Sequence, residues 1–434
     1  MNASTQMRGK GVWWWVPSLY FGQGIPYVVV MTLSVIMYKN LNVSNTDIAL
    51  YTSWLYLPWV IKPLWSPLVD MFHTKRLWIV VLQCLIGASL ALVALTIQLP
   101  AFFQITLAVF WLLAFSSATH DIAADGFYML ALPQHEQAAL VGVRSTFYRL
   151  AMIAGQGGLV FLAGRLTEIS GNPALAWSIV MFVLAALFVA LSVYHFFILP
   201  RPSSDHAIRH TNDVAQDFFA TFKAFFNKPD ILLILGFLLT YRLGEAQLLK
   251  LATPFMLDPL SKGGLGMSTA EVGIVYGTIG ILALTLGGLL GGAAIAKFGL
   301  RRMLWIMVLS VHVPDLVFVY LSTVLPTNLY LIGATIAAEQ FGYGFGFAAY
   351  LLYMIMVSEG ENKTAHYAIC TGFMALGMML PGMASGWIQS QLGYQHFFVW
   401  VCIATIPSFW IASLLKIDAE FGKKSAPDAE PEAA

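Results

Sequence analysis

Residues 174–199 read ALAWSIVMFVLAALFVALSVYHFFIL, an apolar run without a single Asp, Glu, Lys or Arg. An α-helix needs roughly 20 residues to cross about 30 Å of hydrocarbon, so this stretch is long enough to span a bilayer. Backbone in hydrocarbon must satisfy its own hydrogen bonds, and the run is far longer than the 9–11 residues of a barrel strand, so the element is a helix.

Working outward, similar runs fill most of the chain. Spans are expected near 13–38, 46–69, 77–98, 102–130, 138–165 and 174–199, then 230–257, 268–296, 302–324, 327–357, 363–391 and 394–416. The composition agrees: 59% of the 434 residues are hydrophobic and 10% charged, where a soluble chain carries roughly a quarter charged. The reading is an all-α membrane protein of twelve transmembrane helices in two pseudo-symmetric six-helix bundles. The expected divisions are an N-terminal bundle over 1–200, a linker over 201–229 that carries an amphipathic surface helix at 215–228, a C-terminal bundle over 230–417, and a disordered tail over 418–434.

Lys and Arg collect on one side. With the amino terminus inside, the inner segments hold Arg8, Lys10, Lys75, Arg76, Arg201, Arg209, Lys223, Lys228, Lys297, Arg301, Arg302, Lys363, Lys416, Lys423 and Lys424. The outer loops hold only Lys39, Arg165 and Lys262, so both termini are expected in the cytoplasm. Arg8 and Lys10 before Trp13 read as the start of the first span, not as a cleaved leader. The net charge of +1 argues against nucleic acid as a partner. Cys84, Cys370 and Cys402 stand singly in apolar spans, without metal-ligand spacing, and no metal or cofactor is expected.

The halves match at an offset of about 222 residues. Tyr20, Gly22 and Gln23 align with Arg242, Gly244 and Glu245, and Gly164 aligns with Gly386. Asp70-Met-Phe-His-Thr-Lys75-Arg76 stands opposite Ala296-Lys-Phe-Gly-Leu-Arg301-Arg302. This loop pattern resembles the signature of the major facilitator superfamily. An acid at the inner end of a helix with cations beside it can latch one access state, so Asp70, Lys75 and Arg76 are gating candidates. The alternative is positive-inside topology alone.

Ionisable side chains within a span cost on the order of 2.5–3.5 kcal/mol each. The set is Lys62, Asp121, Asp125, Arg144, Arg149, Arg242, Glu245, Lys250, Asp315 and Glu339. Spans four and five form a hairpin turning near Gln134 and His135, which puts Asp121 level with Arg149 and Asp125 level with Arg144. The expectation is an acidic stripe facing two arginines. Such a stripe either carries a proton, because burial and a neighbouring guanidinium pull a carboxylate's proton affinity in opposite directions, or simply locks the helices. His120 lies on another face, read as packing or relay; with Asp121 and Asp125 it does not converge as a metal site.

Asp121, Asp125 and Glu245 are the proton-coupling candidates. Substrate-binding candidates are Tyr20, Gln23, Tyr27, Trp54, Lys62, Arg144, Arg149, Arg242, Glu339, Gln340 and Tyr343, cations for anionic groups and aromatics for sugar faces. For Glu245, pairing with Arg242 one turn away is the local alternative. Asp315 follows Pro314, and no role is assigned to it.

Three stretches carry a further resemblance: Leu19-Tyr-Phe-Gly-Gln-Gly-Ile-Pro26, Pro58 through Lys62, Trp65 and Pro67 to Asp70, and Ala118-Thr-His-Asp121-Ile-Ala-Ala-Asp125-Gly126. They resemble the AmpG-type muropeptide permeases, whose relatives include acetyl-coenzyme A transporters and siderophore permeases. The resemblance is good over the first half and weak over the second, and two extra helices of some AmpG permeases have no counterpart here. It implies a monomeric, proton-coupled importer of anhydromuropeptides in a bacterial inner membrane, with Asp121, Asp125 and Lys62 on the matching positions. A same-fold carrier of another anionic solute (acetyl-coenzyme A, a siderophore or a sugar) and a non-transporting receptor are the alternatives. No paired nucleophile and base or P-loop appears, so an enzyme is not expected.

Overall fold

In the computed structural model, which describes residues 3–132, 134–203, 205, 211–359, 363–418 and 421–422, the apolar runs are helices throughout. The N-terminal half contains α1 (Gly11–Asn40), α2 (Asn45–Trp54 and Leu57–Met71, broken between), α3 (Lys75–Thr96) and α4 (Phe102–Ala131). It is completed by α5 (Gly142–Ser170) and α6 (Pro173–Ile198). The C-terminal half contains α7 (Ile231–Leu257), α8 (Thr269–Phe298), α9 (Leu300–Val324) and α10 (Leu329–Val357), then α11 (363–392) and α12 (394–414), which meet at Gly393 with φ 70°.

Among the described residues ten helical stretches are long and apolar enough to cross a membrane. The broken α2 and the division at Gly393 bring the number to the expected twelve. Large apolar side chains such as Leu95, Phe197 and Leu289 are exposed on the outer faces, where lipid is their solvent. The expected linker helix forms, over Thr211–Phe226. Of the tail, residues 419–420 and 423–434 lie outside the described residues. Phe421 does not fit the expectation of disorder, since its carbonyl accepts from the Leu300 amide at the start of α9 (3.0 Å).

Each half has its own aromatic and aliphatic core: Phe110, Trp177 and Phe188 in the first, Phe237, Tyr241 and Tyr350 in the second. A third cluster joins them, with Ala49 of α2 packed among Leu248, Phe255 and Tyr394. The contacts between halves show the repeat. A Cβ on Gly164 would overlap the backbone of Ala270 in the other half, and one on its counterpart Gly386 would overlap the backbone of Asn45. Both positions need glycine because two helices cross at backbone distance.

At that same end a polar latch ties the halves. Asp258 accepts from Lys39 (2.7 Å), Asn45 (3.3 Å) and Tyr394 (2.6 Å), and Thr269 donates to Asn40 (3.1 Å). Toward the other end the halves part around a cavity.

Candidate functional site

The cavity has a volume of about 640 Å³. Its N-terminal wall is Tyr20, Gln23, Arg144, Ser145, Tyr148, Arg149 and Met152; its C-terminal wall includes Leu284, Gly288, Tyr343, Phe347 and Leu351. Deeper, and sharing Met152, Leu284 and Tyr343 with it, lies a chamber of about 160 Å³ lined by Tyr27, Tyr56, Gln156, Arg242, Lys250, Tyr276 and Gln340 among others.

The α4–α5 hairpin sets the first wall. Arg144 Nη2 donates to Asp125 Oδ1 at 2.7 Å, and its guanidinium lies 4.3 Å from the Tyr20 ring centroid and 4.5 Å from that of Tyr128. Tyr20 OH donates to the same carboxylate oxygen (3.1 Å). An arginine held against two rings that stand edge to face (interplanar angle 87°) and fixed by a carboxylate presents its remaining donors in a defined direction.

Asp121 is not paired with Arg149, contrary to the depth argument. It lies 3.7 Å from Lys62 Nζ and accepts from the Trp59 indole at 3.1 Å. Depth alone ignored rotation: five residues at 3.6 per turn put Arg149 about 140° around α5 from Arg144, so only one of them faces α4. Arg149 turns into the cavity, where it approaches Gly288. Its Nη1 is buried without a hydrogen-bond partner, and it has no carboxylate within ion-pair distance among the described residues. Helical depth thus gave Arg144 its observed partner and Arg149 a partner it does not have.

Across the chamber, Arg242 hydrogen-bonds the Tyr343 hydroxyl and lies 4.9 Å from the Phe347 ring centroid. It forms no ion pair with Glu245 within 4.0 Å among the described residues. Lys250 is buried, donates to Thr52 of the other half (2.9 Å), lies 5.2 Å from the Tyr56 ring and has no acidic partner among the described residues. The sequence shows it as a charge within a span, and the fold brings it to the chamber wall.

Other expected residues fall elsewhere. Glu245 and Glu339 are fully buried but line neither cavity, whereas Gln340, beside Glu339, lines the chamber. Trp54 is half exposed at the end of the first segment of α2 and lines neither cavity, because the helix break at Leu55 separates it from the inward-facing Tyr56 and Trp59. Tyr27 stacks edge-on against Trp59 at 5.4 Å. His120 joins a buried chain within the first half, through Gln83 (3.1 Å) to His195 and Ser18.

Asp70 ends α2, and its side chain lies outside the described residues. Of its two basic neighbours, Arg76 bonds the carbonyls of Phe196 and Leu199 at the end of α6. The amides of Lys75 and Arg76 are capped by Asp205 (2.7 and 3.1 Å). These contacts close the first half on itself.

The chain matches the family model described as Major Facilitator Superfamily over residues 18–311. It is 28% identical over 417 residues to an uncharacterized protein of Haemophilus influenzae, covering 91% of this chain and 93% of that one. It is 26% identical over 411 residues to the anhydromuropeptide permease of Escherichia coli K12, covering 93% of this chain and 79% of the relative. In three dimensions it is similar to the nucleoside transporter NupG, with a TM-score of 0.67 at 15% identity over 93% of this chain and 98% of that one.

Proposed function

Because the chain belongs to the Major Facilitator Superfamily and is a multi-pass membrane transporter, not an enzyme, we propose that it imports anhydromuropeptides, driven by protons, through alternating access. The observation that carries this reading is the pair of connected cavities between the halves, in which arginines and aromatic rings stand together. A sugar ring offers apolar faces to Tyr20, Tyr148, Tyr343 and Phe347, and the peptide's carboxylates offer partners to Arg144, Arg149 and Arg242. Charge-assisted hydrogen bonds of this kind contribute about 1.5–3 kcal/mol each, enough for two or three of them to select an anionic glycopeptide over a neutral sugar. The name of the Escherichia coli relative supports the same substrate class.

Asp121, Asp125 and Glu245 are the candidates for coupling, the first two partly exposed and ion-paired and Glu245 fully buried, since only a group that exchanges a proton can carry one through the cycle. The latch at Asp258 holds one end closed while the cavity serves the other. The carrier acts as a monomer in a bacterial inner membrane. The excess of Lys and Arg in alternate loops supports cytoplasmic termini and a cavity that opens to that side.

Proteoliposomes with an imposed proton gradient test the proposal directly. Labelled GlcNAc-anhydroMurNAc-tripeptide should accumulate with the gradient and only equilibrate without it. Uptake competed by acetyl-coenzyme A or a ferric siderophore, and not by muropeptide, would move the protein to another substrate. Saturable binding with no accumulation would make it a receptor.

A further inference from the structure

Glu245, Asp315 and Glu339 come from α7, α9 and α10, and no sequence spacing joins them. The backbone does. Pro314 interrupts α9, and Val313–Asp315 winds into a short 3-10 turn. Gly342 on α10 lies so close to that turn that a methyl group there would overlap the Ser310 carbonyl and come within 2.8 Å of the Pro314 ring. One oxygen from each of the three carboxylates then lies within 4.8 Å of the other two, in side chains no more than 1% exposed.

Their charge is unanswered. Both carboxylate oxygens of Glu245, both of Asp315 and Oε1 of Glu339 have no hydrogen-bond partner; Glu339 Oε2 accepts from Gln340 (3.0 Å). The titratable groups around them are Arg242 on α7, Tyr276 on α8, His312 on α9, Tyr343 on α10 and Cys402 on α12. His312 is tied through Nε2 to Ser408 (2.7 Å). Tyr276, 7% exposed and without a hydrogen bond among the described residues, feels both Glu339 and Glu245. Of these neighbours Arg242 is the permanent cation, and its Nε is likewise buried and unpartnered.

Three carboxylates against one guanidinium leave two negative charges, and each uncompensated buried charge costs several kcal/mol. A protonated carboxyl donates as well as accepts, so two protons shared among the three groups would remove the excess charge and supply donors to the empty acceptors.

We propose that this triad is where the carrier holds its transported protons, two of them in this conformation, and that Arg242 ties their occupancy to an anionic group in the chamber. The proposal rests on the proton-driven reading above and names its site. Arg242 stands between the two: its side chain lines the chamber beside Lys250, and Glu245 follows one turn along the same helix. A substrate carboxylate drawn to Arg242 and Lys250 brings negative charge beside the triad and tightens its hold on protons. Linkage makes the effect reciprocal, so the held protons tighten substrate binding by the same factor. Gln340, which lines the chamber and bonds Glu339, is the direct contact between the two compartments.

Infrared difference spectra of the full-length carrier in lipid test this, read at the C=O stretch of protonated carboxyl groups. At neutral pH the wild type should show this band, and GlcNAc-anhydroMurNAc-tripeptide should strengthen it. Glu339→Gln and Asp315→Asn should each remove part of it, whereas Asp121→Asn should leave the triad's part in place. A band unchanged by both triad substitutions overturns the proposal, as does a band abolished by Na+ at constant pH, which would make the triad a sodium site. Wild-type gradient-driven accumulation in variants that have lost the band overturns it too, while the substrate reading survives. If muropeptide has no effect but the band still depends on Glu339 and Asp315, the substrate reading falls and the proton site stands.

Discussion

Both halves of this carrier hold acids beside the central cavities, and they settle the charge in opposite ways. In the N-terminal half each acid has its own cation: Asp125 meets Arg144 at 2.7 Å and Asp121 meets Lys62 at 3.7 Å, with side chains 13–40% exposed. In the C-terminal half three fully buried acids stand near one arginine, and Lys250 lacks an acid altogether among the described residues. Paired charges fix helices and aim donors. Unpaired ones call for charges that come and go, the part that the proposal above gives to protons and substrate. The repeat that relates Gln23 to Glu245 and Tyr20 to Arg242 therefore preserved the frame while the two halves took different charges.

The comparison is most exposed to Arg242→Gln. Removing the permanent cation beside three buried carboxylates should destabilise the carrier by about 3–5 kcal/mol, the usual loss when a buried charge is stripped of its partner. The measurement is thermal melting in detergent, and Glu245→Gln in the same chain should restore most of the loss. An Arg242→Gln protein that melts like the wild type would mean that the C-terminal charges are already answered by something other than Arg242.

A smaller effect is expected at the closed end. Asp258→Asn keeps the shape of the latch but weakens its bonds to Lys39, Asn45 and Tyr394, at about 1.5–3 kcal/mol for bonds to a charged group. Because the latch joins the halves, that energy belongs to one access state and shifts the population between states. A thiol introduced at Ala270, buried against Gly164 at the closed end and outside the latch, should react faster with a membrane-impermeant reagent in the Asp258→Asn background than in the parent chain. Equal rates would show that backbone contacts at Gly164 and Gly386 hold the end shut without the polar latch.

The fold was legible because lipid imposes it. Long uncharged runs, a matched glycine pair and one-sided Lys and Arg each follow from a constraint that acts along the chain. The break in α2 follows from Pro58, which has no N–H to donate to the Trp54 carbonyl one turn earlier. Within the site, helical depth matched Asp125 with Arg144 correctly, since depth is linear in sequence, while the partner of Asp121 depended on rotation and on α2. The triad was out of reach for a further reason. Asp315 joins Glu339 only through the Pro314 turn and the close approach at Gly342, and nothing local in the sequence carries a contact between three helices.

The smallest change in stability and the clearest separation of roles are expected at Arg144. Its pair with Asp125 is 30% and 40% exposed, so water and salt screen it, and Arg144→Gln should alter the melting free energy by no more than about 1 kcal/mol. If the N-terminal pair serves to aim a donor at substrate, the same substitution should still weaken muropeptide binding on the order of tenfold, about 1.4 kcal/mol. Arg144→Lys sharpens the test. It keeps the positive charge but loses the planar fork and its cation–π contacts with Tyr20 and Tyr128, so affinity should be regained only in part. Full recovery with lysine would reduce the role of Arg144 to bare charge. A melting loss as large as that of Arg242→Gln would remove the distinction between the halves, because the paired cluster would then be as structural as the unpaired one.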